Sequence, residues 1–183
     1  KGRRCGQAET ATAGGNVVVT LPLSEVHLWE AGAGRLYDLT ITFGEDTVHS
    51  YFGLRNVTIS GEKVLINGKS VFQRLVLDQG FYPDGIYTAS TDEALENDVK
   101  LSMAAGFNGA RLHEKVFEPR FLYHCDRLGY LVWGEQGNWG MDPSAPDGLK
   151  NFLPEWMEAV ERDFNHPAII GWGTGDAKVG FKG

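Results

Sequence analysis

The chain has 183 residues, of which 42% are hydrophobic and 22% charged, with 17 basic against 24 acidic side chains and a formal charge of −7. Such a composition is ordinary for a soluble globular protein of one large or two small domains and excludes long disorder. The acidic balance argues against a nucleic-acid partner or an anionic membrane surface, and no apolar run approaches the ~20 residues that span a bilayer.

Residues 1–15 are small and polar and read as a frayed end. The chain opens at Lys1 without an initiator Met or a signal pattern, so a piece of a longer gene product is expected, its compartment (cytoplasmic or secreted) left open. From Val17 to Ser60 short apolar or alternating runs are broken by turn residues. They are Val17–Leu21 before Pro22, Leu36–Phe43 before Gly44-Glu45, Val48–Phe52 and Val57–Ile59. These predict antiparallel strands with one buried face, about four strands of a sandwich.

After Gly61 strands alternate with helices. Val64–Ile66 and the turn signal Asn67-Gly68 lead to a strand over Val71–Leu77. Ser90-x-x-Glu93 predicts a capped helix carrying Leu95, Val99 and Met103, stopped at Gly106. A strand over Asn108–Leu112 follows, then a helix from Pro119 to Gly129 and a strand over Tyr130–Trp133. A helix from Pro154 to Phe164 and a strand over Ala168–Trp172 complete the pattern. Strand starts recur about every 32 residues, against roughly 31 per unit in an eight-fold (β/α)8 barrel. An open doubly wound sheet would carry a glycine-rich phosphate turn after its first strand. Here that turn reads Asp78-Gln79-Gly80-Phe81-Tyr82, so the first four strands of a TIM barrel fit better.

In a barrel the chemistry belongs at the carboxyl ends of the strands. Those ends carry Asp78, then Arg111, His113 and Glu114, then Glu135, Asn138 and Trp139, then Trp172 to Asp176. Acids, Arg, His and Trp together suit a sugar: carboxylates take hydroxyls, and indole faces stack on apolar sugar faces. Arg111 and Glu135 serve either as sugar contacts or as an ion pair holding the barrel. His113 is a sugar contact or a satisfied structural histidine, and Trp139 and Trp172 are either a stacking platform or core. Asp176 binds a hydroxyl or is a solvated loop acid, and His166-Pro167 reads as a turn device. The two cysteines, Cys5 and Cys125, are too few for a disulfide framework. The five histidines show no metal spacing, and no cofactor motif is present, so neither metal nor cofactor is expected.

Asn108-Gly109-Ala110-Arg111, followed by Cys125-Asp126-Arg127-Leu128-Gly129 and Leu131-Val132-Trp133-Gly134-Glu135, resembles the first signature of glycoside hydrolase family 2. That family holds β-galactosidases, β-glucuronidases and β-mannosidases. Arg162-Asp163-Phe164-Asn165-His166-Pro167, running on to Trp172, resembles its second signature. Leu28-Trp29, Leu36-Tyr37 and Phe52-Gly53-Leu54-Arg55 resemble the end of its immunoglobulin-like domain, and Ile66-Asn67-Gly68-Lys69 its approach to the barrel.

The resemblance implies an α/β chain with an all-β N-terminal portion. Residues 1–60 would be the C-terminal part of an immunoglobulin-like β-sandwich and residues 61–183 the N-terminal half of a (β/α)8 catalytic barrel. It also implies a retaining β-glycosidase with two glutamates, one the acid/base of an Asn-Glu pair after strand four and the other a nucleophile near strand seven. At the pair's place stand Asp176-Ala177, and alanine transfers no proton; the nucleophile region lies beyond these residues. Glu114 stands where the family has a histidine. No catalytic residue is therefore expected here, and the isolated chain is expected to be inactive. Its substrate-binding residues would be Arg111, His113, Glu135, Trp139, Trp172 and Asp176. The expected partner is a β-linked oligosaccharide or glycoconjugate, with self-association through an uncovered half-barrel. A catalytically dead carbohydrate-binding or scaffolding domain is the rival reading.

Overall fold

The computed structural model describes residues 2–12, 14–142 and 144–173. Its order is β1 (Tyr37–Phe43), β2 (Asp46–Phe52), β3 (Val57–Ser60), β4 (Lys63–Ile66), β5 (Lys69–Ser70), β6 (Leu75–Asp78), α1 (Asp92–Ala104), β7 (Gly109–Leu112), α2 (Pro119–Leu128), β8 (Leu131–Glu135), α3 (Pro146–Asp163) and β9 (Ile169–Gly173). β1 and β2 form an antiparallel hairpin, β3-β4-β5 a three-stranded antiparallel sheet, and β6-β7-β8-β9 a parallel sheet in chain order. The protein is thus a mixed α/β chain whose pairing changes from antiparallel to parallel between β5 and β6. The β3–β4 hairpin straddles Gly61, so the 60/61 division falls in its turn.

The expected strand over Val17–Leu21 is absent: that segment is exposed and makes no ladder among the described residues. Its apolar run has no partner edge, and without one the run alone does not make a strand. The strand expected from Val71 begins only at Leu75, because Asn67 and Gly68, both at positive φ, turn the chain into the short β5 first. Thr91, not Ser90, caps α1: its hydroxyl accepts from the Ala94 amide at 3.1 Å, so the capping box with Glu93 does not form. Both residues can cap, and the register one residue on buries Leu95 and Val99 against the core. Helix α3 starts at Pro146 instead of Pro154, which lies inside it. Either proline suits a first helical position, and the upstream one takes it.

Alternation along β7 and β8 divides the parallel sheet into two faces. Ala110, Leu112 and Val132 join Leu95, Val99, Phe121 and Leu122 in the core, so the helices cover that face. Arg111 and Trp133, paired across β7 and β8, lie on the other. Gly171 makes room for Trp133, since a Cβ there would sit 2.5 Å from the indole ring.

A polar knot joins the antiparallel hairpin to the parallel sheet. Asp126 of α2 is fully buried. Its Oδ2 accepts from the Tyr51 hydroxyl at 2.8 Å and from His166 Nδ1 at 2.6 Å, and its Oδ1 accepts from the Ala168 amide at 2.8 Å. The Trp29 indole N–H donates to the Asp126 carbonyl at 2.7 Å, and Arg55 donates to the carbonyls of Pro167 and Ile169 at 3.0 and 2.6 Å. Among the described residues no helix is long and apolar enough to cross a membrane.

Candidate functional site

At the carboxyl ends of β6, β7 and β8, burial and charge converge. The Glu135 carboxylate, only 4% exposed, is gripped by both Nε and Nη2 of Arg111 on the neighbouring strand. A buried carboxylate is costly unless paired, and a planar guanidinium fork suits it. The Arg111 side chain itself is 32% exposed, so the pair has one dry end and one wet end. The Glu114 amide adds a third donor to Glu135 at 3.3 Å.

Glu114 itself adopts a φ of +56°, a region that L residues rarely occupy and that marks functional or over-determined positions. Its carboxylate accepts from the amides of Asn138 at 2.6 Å and Trp139 at 3.3 Å, which shapes the loop after β8. His113 is buried; its amide donates to the Asp78 carbonyl at 2.8 Å, and its Nδ1 accepts from Gln79 Nε2 at 2.9 Å. Burial pushes the Asp78 carboxyl above the usual carboxylate range, opposed by the Gly80 amide that it accepts at 2.8 Å.

The structure therefore brings Arg111, His113 and Glu135 together, with Trp139 on the adjoining loop, 73% exposed. Trp172 lines a cavity with Glu135 but turns its ring toward the helices. Its register partner is Gly134, on the helix-covered face, and its ring lies edge-on to Trp156 of α3 at 5.6 Å. Strand parity decides this: a residue one position off the inward-facing set points into the core. Asp176 and Ala177 lie outside the described residues.

Sequence reasoning missed the parts played by Gln79, Glu114 and Lys115. Lys115 Nζ donates to the carbonyls of Gly80 at 2.9 Å and Tyr87 at 2.7 Å, and sits 4.7 Å from the Tyr87 ring centre and 4.8 Å from that of Phe117. Burial draws its ammonium below the usual lysine value, against the pull of Glu118 and Asp78. A lysine directly after a His-Glu strand end was the available signal, but nothing local says which carbonyls it reaches.

Ligand atoms of His113, Glu114 and Glu135 all lie within 4.8 Å of one another, close enough on distance alone to receive a cation. A search for closely spaced histidines overlooks this, because the three come from two strand ends. Their chemistry fits a dication poorly. The Arg111 guanidinium already neutralises Glu135, Glu114 accepts two amides, and His113 accepts from Gln79. The same cluster instead offers charged and neutral hydrogen-bonding groups to a polyhydroxylated ligand.

No family model matches the chain. It is similar to a β-galactosidase of Alteromonas mediterranea, 30% identical over 173 residues that cover 87% of the chain and 16% of the relative. A β-galactosidase of Leuconostoc mesenteroides is 29% identical over 182 residues, covering 92% of the chain and 17% of the relative. The chain thus spans about one sixth of the curated relatives it matches. Among solved structures, a β-glucuronidase from Ruminococcus gnavus in complex with N1-substituted uronic isofagomine superposes with a TM-score of 0.76 at 25% identity, over 85% of this chain and 28% of that one. A Bacteroides uniformis β-glucuronidase gives 0.72 at 28% identity, over 86% of this chain and 20% of that one.

Proposed function

Starting from a chain homologous to a fragment of the family 2 glycoside hydrolases, we propose that it belongs to a retaining β-glycosidase that removes terminal β-linked sugars. In that reading residues 1–60 are the end of an immunoglobulin-like sandwich and residues 61–183 the first half of a (β/α)8 barrel. Two features support the partition. The parallel strands run β6-β7-β8-β9 without the order reversal of a doubly wound sheet. The antiparallel pairing also ends before β6, although the β3–β4 hairpin crosses the 60/61 boundary.

The observation that carries the functional reading is the half-wet Arg111–Glu135 pair beside His113, set at the carboxyl ends of adjacent parallel strands. Arg111 and His113 would hold sugar hydroxyls, Glu135 would hold Arg111 in place, and the exposed Trp139 would stack on a pyranose face. In the whole enzyme one glutamate would attack the anomeric carbon, giving a glycosyl-enzyme. A second would first protonate the leaving oxygen and then activate water. Ala177 stands at the second position, so this chain binds without turning over.

The purified chain should bind β-galactosides or β-glucuronides saturably by calorimetry, weaken in Trp139→Ala, and release no nitrophenol from nitrophenyl β-glycosides. Flat titrations across both sugars would defeat the reading, and turnover above a blank would defeat the claim of inactivity. The same half-barrel leaves Leu77 of β6 53% exposed on an open sheet edge, which favours self-association. Light scattering of a strictly monomeric chain at high concentration would argue otherwise.

A further inference from the structure

The loop between β6 and α1 carries an arrangement that the strand-end cluster does not use. Phe81 and Tyr87 meet edge to face, with ring centres 4.8 Å apart and planes at 79°. They remain 58% and 47% exposed. The two rings are thus held against each other while both stay open to water. Three features hold the loop in this form. Tyr82 and Ile86 exchange backbone hydrogen bonds at 2.8 and 3.0 Å. Lys115 ties the two ends of the loop together through the Gly80 and Tyr87 carbonyls and places its ammonium over the Tyr87 ring. Ile86 is kept at a φ of +58°, a strained value for a β-branched side chain that persists only where surroundings impose it.

The loop is also continuous with the candidate site, because Gln79, two residues before Phe81, donates to His113. An exposed aromatic ring beside an ammonium matches a pyranose, which is apolar on one face and hydroxylated at its rim. We propose that Phe81 and Tyr87 form a second sugar-stacking subsite, with Lys115 as the residue that positions it. The inference rests on the glycosidase reading and adds a ring-binding position to it. Its occupant is a pyranoside unit of a β-linked oligosaccharide adjoining the unit held near Arg111.

The test is a titration of the isotope-labelled 183-residue chain with methyl β-galactopyranoside, methyl β-glucuronide and lactose, followed by the aromatic and amide resonances. Lactose should move the Phe81 and Tyr87 ring signals saturably. Its apparent Kd should rise roughly 5- to 10-fold in Phe81→Ala, as expected for loss of one stacking ring, and hold or fall in Phe81→Trp. Phe81 is exposed, so both variants should keep the parent's remaining amide spectrum. Saturable shifts confined to Arg111, His113 and Trp139, with Phe81 and Tyr87 unmoved, would overturn this subsite while leaving the glycosidase reading intact. An unchanged Kd in Phe81→Ala would overturn it equally. No shift anywhere with any of the three sugars would overturn both.

Discussion

Removing Arg111 should cost more than neutralising Glu135, although the two form one ion pair. In Arg111→Met the Glu135 carboxylate, 4% exposed, loses its guanidinium. An uncompensated buried charge of that kind costs about 3–5 kcal/mol. In Glu135→Gln the guanidinium, 32% exposed, stays open to water, while the amide oxygen still accepts a hydrogen bond. That change should cost only about 1–2 kcal/mol, the range for one weakened charged hydrogen bond. With a urea dependence of roughly 2 kcal/mol per M, the midpoints should fall by about 1.5–2.5 M and about 0.5–1 M respectively. The double variant Arg111→Met with Glu135→Leu removes both charges and should recover most of the loss, because a well-packed apolar pair in place of a buried ion pair is often neutral. Urea unfolding followed by tryptophan fluorescence measures all three, and the chain has five Trp to report it. Equal losses in the two single variants, or a double variant as unstable as their sum, would show that the dry-end, wet-end asymmetry does not govern the site.

Asp126→Asn should cost about 2–4 kcal/mol, since the amide nitrogen must face at least one of the Tyr51, His166 and Ala168 donors and each orphaned buried donor costs about 1–3 kcal/mol. A urea midpoint within error of the parent would contradict the assignment of Asp126 as the tie between hairpin and sheet. Glu96 of α1 is held down to about 2 from its usual 4.5 by hydrogen bonds from Lys100 and Arg127. A depressed carboxyl pKa stabilises the fold above the unfolded value and ceases to do so as pH falls through the folded one. Stability should therefore drop between about 4.5 and about 2, and Glu96→Gln should flatten that part of the curve; parallel curves for parent and variant would refute this.

The βα order of the second half was legible because its signals are local. Pro119 and Gly129 bracket α2, Asn67-Gly68 turns β4 into β5, and apolar runs mark β7, β8 and β9. Errors arose where two residues of one type compete, as Ser90 with Thr91 and Pro154 with Pro146, and where a strand needs a partner the run itself cannot supply, as at Val17–Leu21. That Arg111, His113 and Glu135 stand together at strand ends was legible because strand ends can be counted, whereas the face that Trp172 takes follows from a register, shifted between Val132 and Trp133, that no count of residues supplies. Asp126 was visible only as part of a motif. A carboxylate beside Cys125 in a buried helical stripe hints at a hub, but its partners lie up to 75 residues away and no periodicity names them.

The Asp126 tie also sets a schedule for the ribosome. Tyr51 leaves the exit tunnel 115 residues ahead of His166. At about 5–20 residues per second that interval is about 6 to 23 s. Until α2 brings Tyr123 and Asp126, the latter 75 residues behind Tyr51, the β1–β2 hairpin lacks those contacts, and a lone hairpin is marginal in water. Ile41, Phe43 and Val48, exposed also in this folded chain, are open to a neighbour during that wait. A nascent-chain chaperone would have its longest claim on this segment, and slowing translation downstream of residue 126 would lengthen the exposure.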